Sequence, residues 1–186
     1  MYQVSHPVKE KPVLFMVRAA VIAALYVALT YAGAPLAYGG VQFRISEALT
    51  ILPVFTPAAI PGLTIGCILG NLGSPLGLTD IICGTLATLL AAILVRLTAQ
   101  VTVKGFPVLA PVFPIVCNAV IVGAELAILT LPEGFSVWGF LTMAGGVALG
   151  EVVVCVVLGG LLWAAIHKSG RAAFLFGPQR PARADQ

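Results

Sequence analysis

Charge is what this sequence has least of: Asp, Glu, Lys and Arg make up 9% of its 186 residues, where soluble domains carry roughly a quarter. With 60% hydrophobic residues and a mean hydropathy of +1.06, a water-soluble fold is excluded and an integral membrane protein is indicated. No nucleic-acid partner is expected of such a chain. Metal-type cysteine spacing is also missing. Cys67, Cys83, Cys117 and Cys155 form no CxxC pair and all fall in apolar segments, so they read as small buried hydrophobes, without a disulfide framework or a metal site. There is no GxxxxGK[ST] phosphate loop and no HExxH, and His6 and His167 lie in the terminal segments. The chain is therefore not expected to be an enzyme or to hold a cofactor, and any ATP hydrolysis that serves it must occur elsewhere. No internal repeat is evident, so a self-sufficient secondary transporter, which commonly uses two related bundles around a central site, would require a dimer.

What the sequence does contain is apolar runs, and a membrane-crossing helix needs about 20 such residues. Pro, Gly and charge breaks divide the runs at residues 13–36, 44–56, 59–73, 79–98, 107–131 and 136–166. The stretch Phe15 to Leu36 is too long for the apolar part of a cleavable signal, so it is expected to stay as a permanent helix. The second and third runs are short, and Pro53, Pro57 and Pro61 interrupt the backbone between them, which predicts a tilted or partly buried hairpin. The expectation is an all-α, six-helix membrane bundle. Residues 1–12 are expected to form a cytoplasmic N-terminal segment, 13–168 the six-helix membrane domain and 169–186 a cytoplasmic tail.

Basic residues set the sidedness. Lys9, Lys11 and Arg18, then Arg96 and Lys104, then Lys168, Arg171, Arg180 and Arg183 all fall on one face of a six-span arrangement. By the positive-inside rule that face, with both termini, is cytoplasmic. Arg44 is the remaining base, and it falls toward the opposite face.

A charge inside a bilayer costs roughly 2.5–3.5 kcal/mol even on lenient scales, so those that persist line a cavity or pair with one another. Arg44 and Glu47, at i and i+3, either form an interfacial ion pair or position the glycine-rich loop around Tyr38 over a pocket. Asn71 and Asp80 bracket an outer connection, where Asp80 is equally suited to cap the next helix or to bind ligand. Asn118 and Glu125 are seven residues apart, hence on one helical face. Glu151 lies among small and β-branched residues near the middle of the last run, where it contacts either a ligand or a neighbouring helix. Glu133 reads as a solvated loop charge, and Trp138 suits either an interfacial belt or a stacking role. In the first run Ala20, Ala24 and Ala28 recur every four residues and make a shallow strip against which another helix can pack, within the chain or from a partner.

The blocks "QFRISEALTILP", "AAIPGLTIGCILGNL", "DIICGTLATLLAA", "NAVIVGAELA" and "GEVVVC", with Ala20xxxAla24 before them, resemble the queuosine-precursor transporter family over about residues 18–165. Members are substrate-binding S components of energy-coupling factor (ECF) importers. The resemblance implies a six-helix fold in a bacterial cell membrane, an alanine strip that docks on the transmembrane T subunit, and two partner ATPase subunits that use ATP. It also implies a 7-deazaguanine substrate, base or nucleoside. The acidic and amide side chains suit the donors of such a ring, whereas an anionic substrate would fit them poorly. Another vitamin, captured by the same kind of S component, is the neighbouring alternative.

Overall fold

The structure, a computed structural model, describes residues 11–34, 43–132 and 134–177. Helix α1 (Pro12–Ala32) opens on a proline at its first position, where no intrahelical N–H is needed, and closes at Gly33, whose N–H bonds the Leu29 carbonyl. A ten-residue 3-10 helix, α2 (Ile45–Val54), follows. After Thr56 and Pro57 come α3 (Ala59–Gly70), a single 3-10 turn (Asn71–Gly73), α4 (Leu78–Leu97) and α5 (Val112–Leu129). Helix α6 (Val137–Lys168) is 32 residues long, with a π-helical stretch at Val152–Leu158 directly after Glu151. A five-residue helix, α7 (Ala172–Phe176), lies against the end of the bundle through stacking of Phe176 on Phe55 at 5.6 Å. Among the described residues, all the elements named here are helical.

Four of them, α1, α4, α5 and α6, are long and apolar enough to cross a membrane. The short runs become α2 and α3, in keeping with the expected hairpin. Helix α2 is mostly apolar and is enclosed: every residue from Ser46 to Pro53, the polar Ser46, Glu47 and Thr50 included, is buried. Its 3-10 form rises about 2 Å per residue instead of 1.5 Å, so ten residues reach roughly 20 Å through the middle of the bundle. Pro53, near its end, withholds one backbone donor. The carbonyls of Pro53 and Val54, in the last turn of the helix, accept from Arg96 Nη1 of α4 at 3.1 and 3.2 Å.

Two close helix pairs set the frame. On α3, Gly62, Gly66 and Gly70 recur every four residues and face Ala19, Ile22, Ala23, Tyr26 and Thr30 of α1; a Cβ on Gly66 would lie 2.7 Å from Tyr26 Cβ. On α5, Gly123 meets Ala144 of α6 equally tightly, its would-be Cβ 2.7 Å from Ala144 Cα. In lipid the burial of large apolar groups brings helices together only weakly, and small residues that let backbones approach do more. Apolar side chains such as Val17, Leu86, Val120 and Leu161 accordingly point outward. Arg18, Arg96, Lys168 and Arg171 gather at one end of the bundle, around the close of α6 and α7.

A buried polar centre drawn from six helices

Each of the first six helices contributes polar side chains to one buried network. Arg44, the residue before α2, is 3% exposed and sends Nη2 to both carboxylate oxygens of Asp80 on α4, at 3.0 and 3.1 Å. The Asn71 amide, at the end of α3, donates to the Asp80 carbonyl at 2.9 Å and leans on the Cys67 sulfur at 3.5 Å. Gly84 makes room for this: a Cβ there would sit 2.6 Å from Asn71 Nδ2 and 3.3 Å from Arg44 Nη1. With both Asp80 oxygens taken by one guanidinium, these three residues brace α2, α3 and α4 against one another.

Deeper along α2, Glu47 is 1% exposed. Its Oε1 accepts the Tyr26 hydroxyl of α1 in a short hydrogen bond and the Thr88 hydroxyl of α4 at 3.4 Å, while its Oε2 has no hydrogen-bond partner. Thr30 and Ser46 link α1 to α2 at 2.8 Å. Glu151 on α6 accepts from the Asn118 amide of α5 at 3.1 Å and from the Cys155 thiol, one turn on, at 3.1 Å. The π-helical stretch begins at this point, and Cys155 also approaches the Glu47 carbonyl at 3.7 Å, which ties α6 to α2. Glu125, two turns along α5 from Asn118, is 4% exposed, and the weak donor of the Cys83 thiol is the side-chain hydrogen-bonding group beside its carboxylate. Its electrostatic neighbours are Asp80, Arg44 and the Cys83 thiol.

The sequence-derived residues are thus sorted. Arg44, Glu47, Asn71, Asp80, Asn118, Glu125 and Glu151 are all buried, in one polar network or its immediate neighbourhood. The i, i+3 pair between Arg44 and Glu47 does not form in the way helical spacing suggested. Arg44 sits in extended geometry (φ −84°, ψ 95°) before the helix starts, so its side chain reaches across to Asp80 instead. Asp80 lies in the first turn of α4 but makes no side-chain cap; Gly77 occupies the cap position. Trp138 is 80% exposed and stands outside the network. Tyr38 and Glu133 lie outside the described residues. Sequence reasoning missed Tyr26, Thr88 and Cys155, which hold Glu47 and Glu151 in place. A lone tyrosine or threonine in an apolar run is ordinary, and nothing in spacing alone showed that these hydroxyls meet a carboxylate of another helix.

Apolar helices wrapped around four buried carboxylates and one guanidinium define a multi-pass membrane protein built around a polar interior. The chain belongs to the QueT transporter family, whose profile matches residues 16–168. A queuosine precursor transporter of Lactococcus lactis subsp. cremoris (strain MG1363) is 41% identical over 76 residues, which is 40% of this chain and 44% of that protein. The chain thus matches less than half of that relative's length. No solved structure matches the chain significantly.

Proposed function

We propose that this chain captures a queuosine precursor, a 7-deazaguanine base or nucleoside, as the S component of an ATP-driven ECF importer in the bacterial cell membrane. The observation that carries this reading is a pair of buried carboxylates short of donors, Glu47 with Oε2 unsatisfied and Glu125 with the weak Cys83 thiol beside it, next to an amide and a third acid. A buried acceptor without a donor costs about 1–3 kcal/mol, so a ligand rich in N–H groups recovers energy on entry. A deazaguanine presents a ring N–H and an exocyclic amine on one edge. On this reading Glu47, Asn118, Glu125 and Glu151 hold the ligand, and Arg44, Asp80 and Asn71 brace the helices around it.

The basic end of the bundle faces the cytoplasm, with both termini, and α2 and α3 complete a six-span S-component fold with the four long helices. Delivery falls to a T subunit and two ATPase subunits, which use the ATP. In support of a partner on α1, Ala20, Ala24 and Ala28 are exposed and line an open apolar groove of about 730 Å³ floored by Ala19 and Ala23 and flanked by Pro61, Ile65 and Leu69. The packing of α1 within the chain uses the neighbouring face instead. Ala24→Leu is expected to leave ligand binding intact and to weaken co-purification with the T subunit at least tenfold, since a bulky side chain keeps the helices apart. Unchanged co-purification would remove this docking face.

The substrate is tested by titrating the purified chain with deazaguanines, riboflavin and biotin while following thermal unfolding. A hundredfold excess over Kd stabilises the folded state by about 2.7 kcal/mol. Deazaguanines alone are expected to give that shift, and Glu125→Gln to reduce it. A shift with riboflavin or biotin instead would assign another vitamin, and uptake by the chain without ATPase partners would favour a secondary transporter.

A further inference from the structure

On the other flank of α1 lies a second groove of about 420 Å³, between α1, α2 and α6 and bounded by α7. Its walls are branched aliphatic side chains: Val21 and Leu25 of α1, Leu49 and Leu52 of α2, Leu162 and Ile166 of α6. Val21 and Leu25 are 54% and 48% exposed, so the trough opens sideways toward the surrounding lipid. One polar side chain lines it, that of Arg18. Its guanidinium lies at the end of the trough against the turn that closes α7, where the would-be Cβ of Gly177 is 3.4 Å from Arg18 Nη1. Lys168 and Arg171 belong to the same end of the bundle.

This layout differs in kind from the alanine groove. Methyl groups make a smooth floor that suits a helix, whereas a trough of branched side chains ending at a cation suits a molecule with an apolar tail and an anionic head. We infer that the groove binds one anionic phospholipid, its acyl chain lying along Val21, Leu25 and Leu162 and its phosphate at Arg18. Basic pockets between membrane helices recognise anionic headgroups through this charge complementarity. The lipid fills the cleft between α1 and α6 from the basic end and steadies α7, which is held through Phe176 on one side and meets the headgroup on the other.

The test uses the delipidated, purified full chain. Dioleoyl phosphatidylglycerol is expected to raise the unfolding midpoint on the order of 5 °C at a hundredfold excess over Kd, with one lipid retained in native mass spectra, and dioleoyl phosphatidylcholine to raise it much less. Arg18→Gln is expected to abolish the preference for phosphatidylglycerol, Arg18→Lys to keep part of it, and Val21→Trp, which fills the trough, to reduce binding of both lipids about tenfold. Equal shifts with the two lipids, an undiminished preference in Arg18→Gln, or a full shift with glycerol 3-phosphate alone would overturn the proposal, the last by showing a free-anion site. None of these readings depends on deazaguanine binding, so the two proposals fail separately.

Discussion

Asp80→Ala is expected to destabilise the chain by about 3–5 kcal/mol, because it leaves the Arg44 guanidinium buried without its carboxylate. For a chain of this length that corresponds to a fall in the unfolding midpoint on the order of 10 °C. The size of the effect comes from the pairing geometry. Arg44 is 3% exposed and Asp80 1%, and both Asp80 oxygens lie on one Nη2. The double variant Arg44→Met, Asp80→Leu removes both charges and is expected to recover most of the loss, since apolar side chains of similar volume replace a buried ion pair at little net cost. Thermal unfolding of the two single variants and the double variant in detergent measures this directly. A single variant within about 0.5 kcal/mol of the parent, the range of an ordinary surface change, would show that the pair does not brace the helices.

Gly66→Ala is the second large effect. The added methyl would meet Tyr26 Cβ at 2.7 Å, and a Cβ has no rotamer to turn away, so α1 must move off α3. Overpacking of this kind costs about 1–3 kcal/mol. The displacement also withdraws the Tyr26 hydroxyl from Glu47, so ligand affinity is expected to fall together with stability. Gly145→Ala is the matched control, because its Cβ meets nothing within 4 Å and the helix gains about 0.5–1 kcal/mol from the exchange. Equal behaviour of the two variants in thermal unfolding would mean that the α1–α3 contact is looser than drawn.

Much of this was legible before any coordinates. Hydropathy located the four long helices and the interrupted pair between them, because a bilayer requires uniform apolarity over a fixed length. The scarcity of charge also picked out the polar centre: when few acids and amides occur in apolar runs, each must be sheltered, and Glu47, Asp80, Glu125, Glu151, Asn71 and Asn118 are all buried. Their pairing was not legible. Helical spacing suggested Arg44 with Glu47, but the residue before a helix is extended, and the partner came from α4. The glycines of α3 carry a four-residue repeat, and they set one of the two close helix contacts of the fold.

The sequence by itself therefore determined the solvent, the helical class and the small set of polar groups that had to be hidden from lipid, since each of these follows from composition and periodicity along one chain. Only the tertiary structure decided which carboxylate meets which donor, that Ala19 and Ala23 face inward while Ala20 and Ala24 face out, and that Glu47 retains an open oxygen. Those are relations between helices brought together by packing, and a periodicity along one helix carries no information about the rotation or depth of its neighbour.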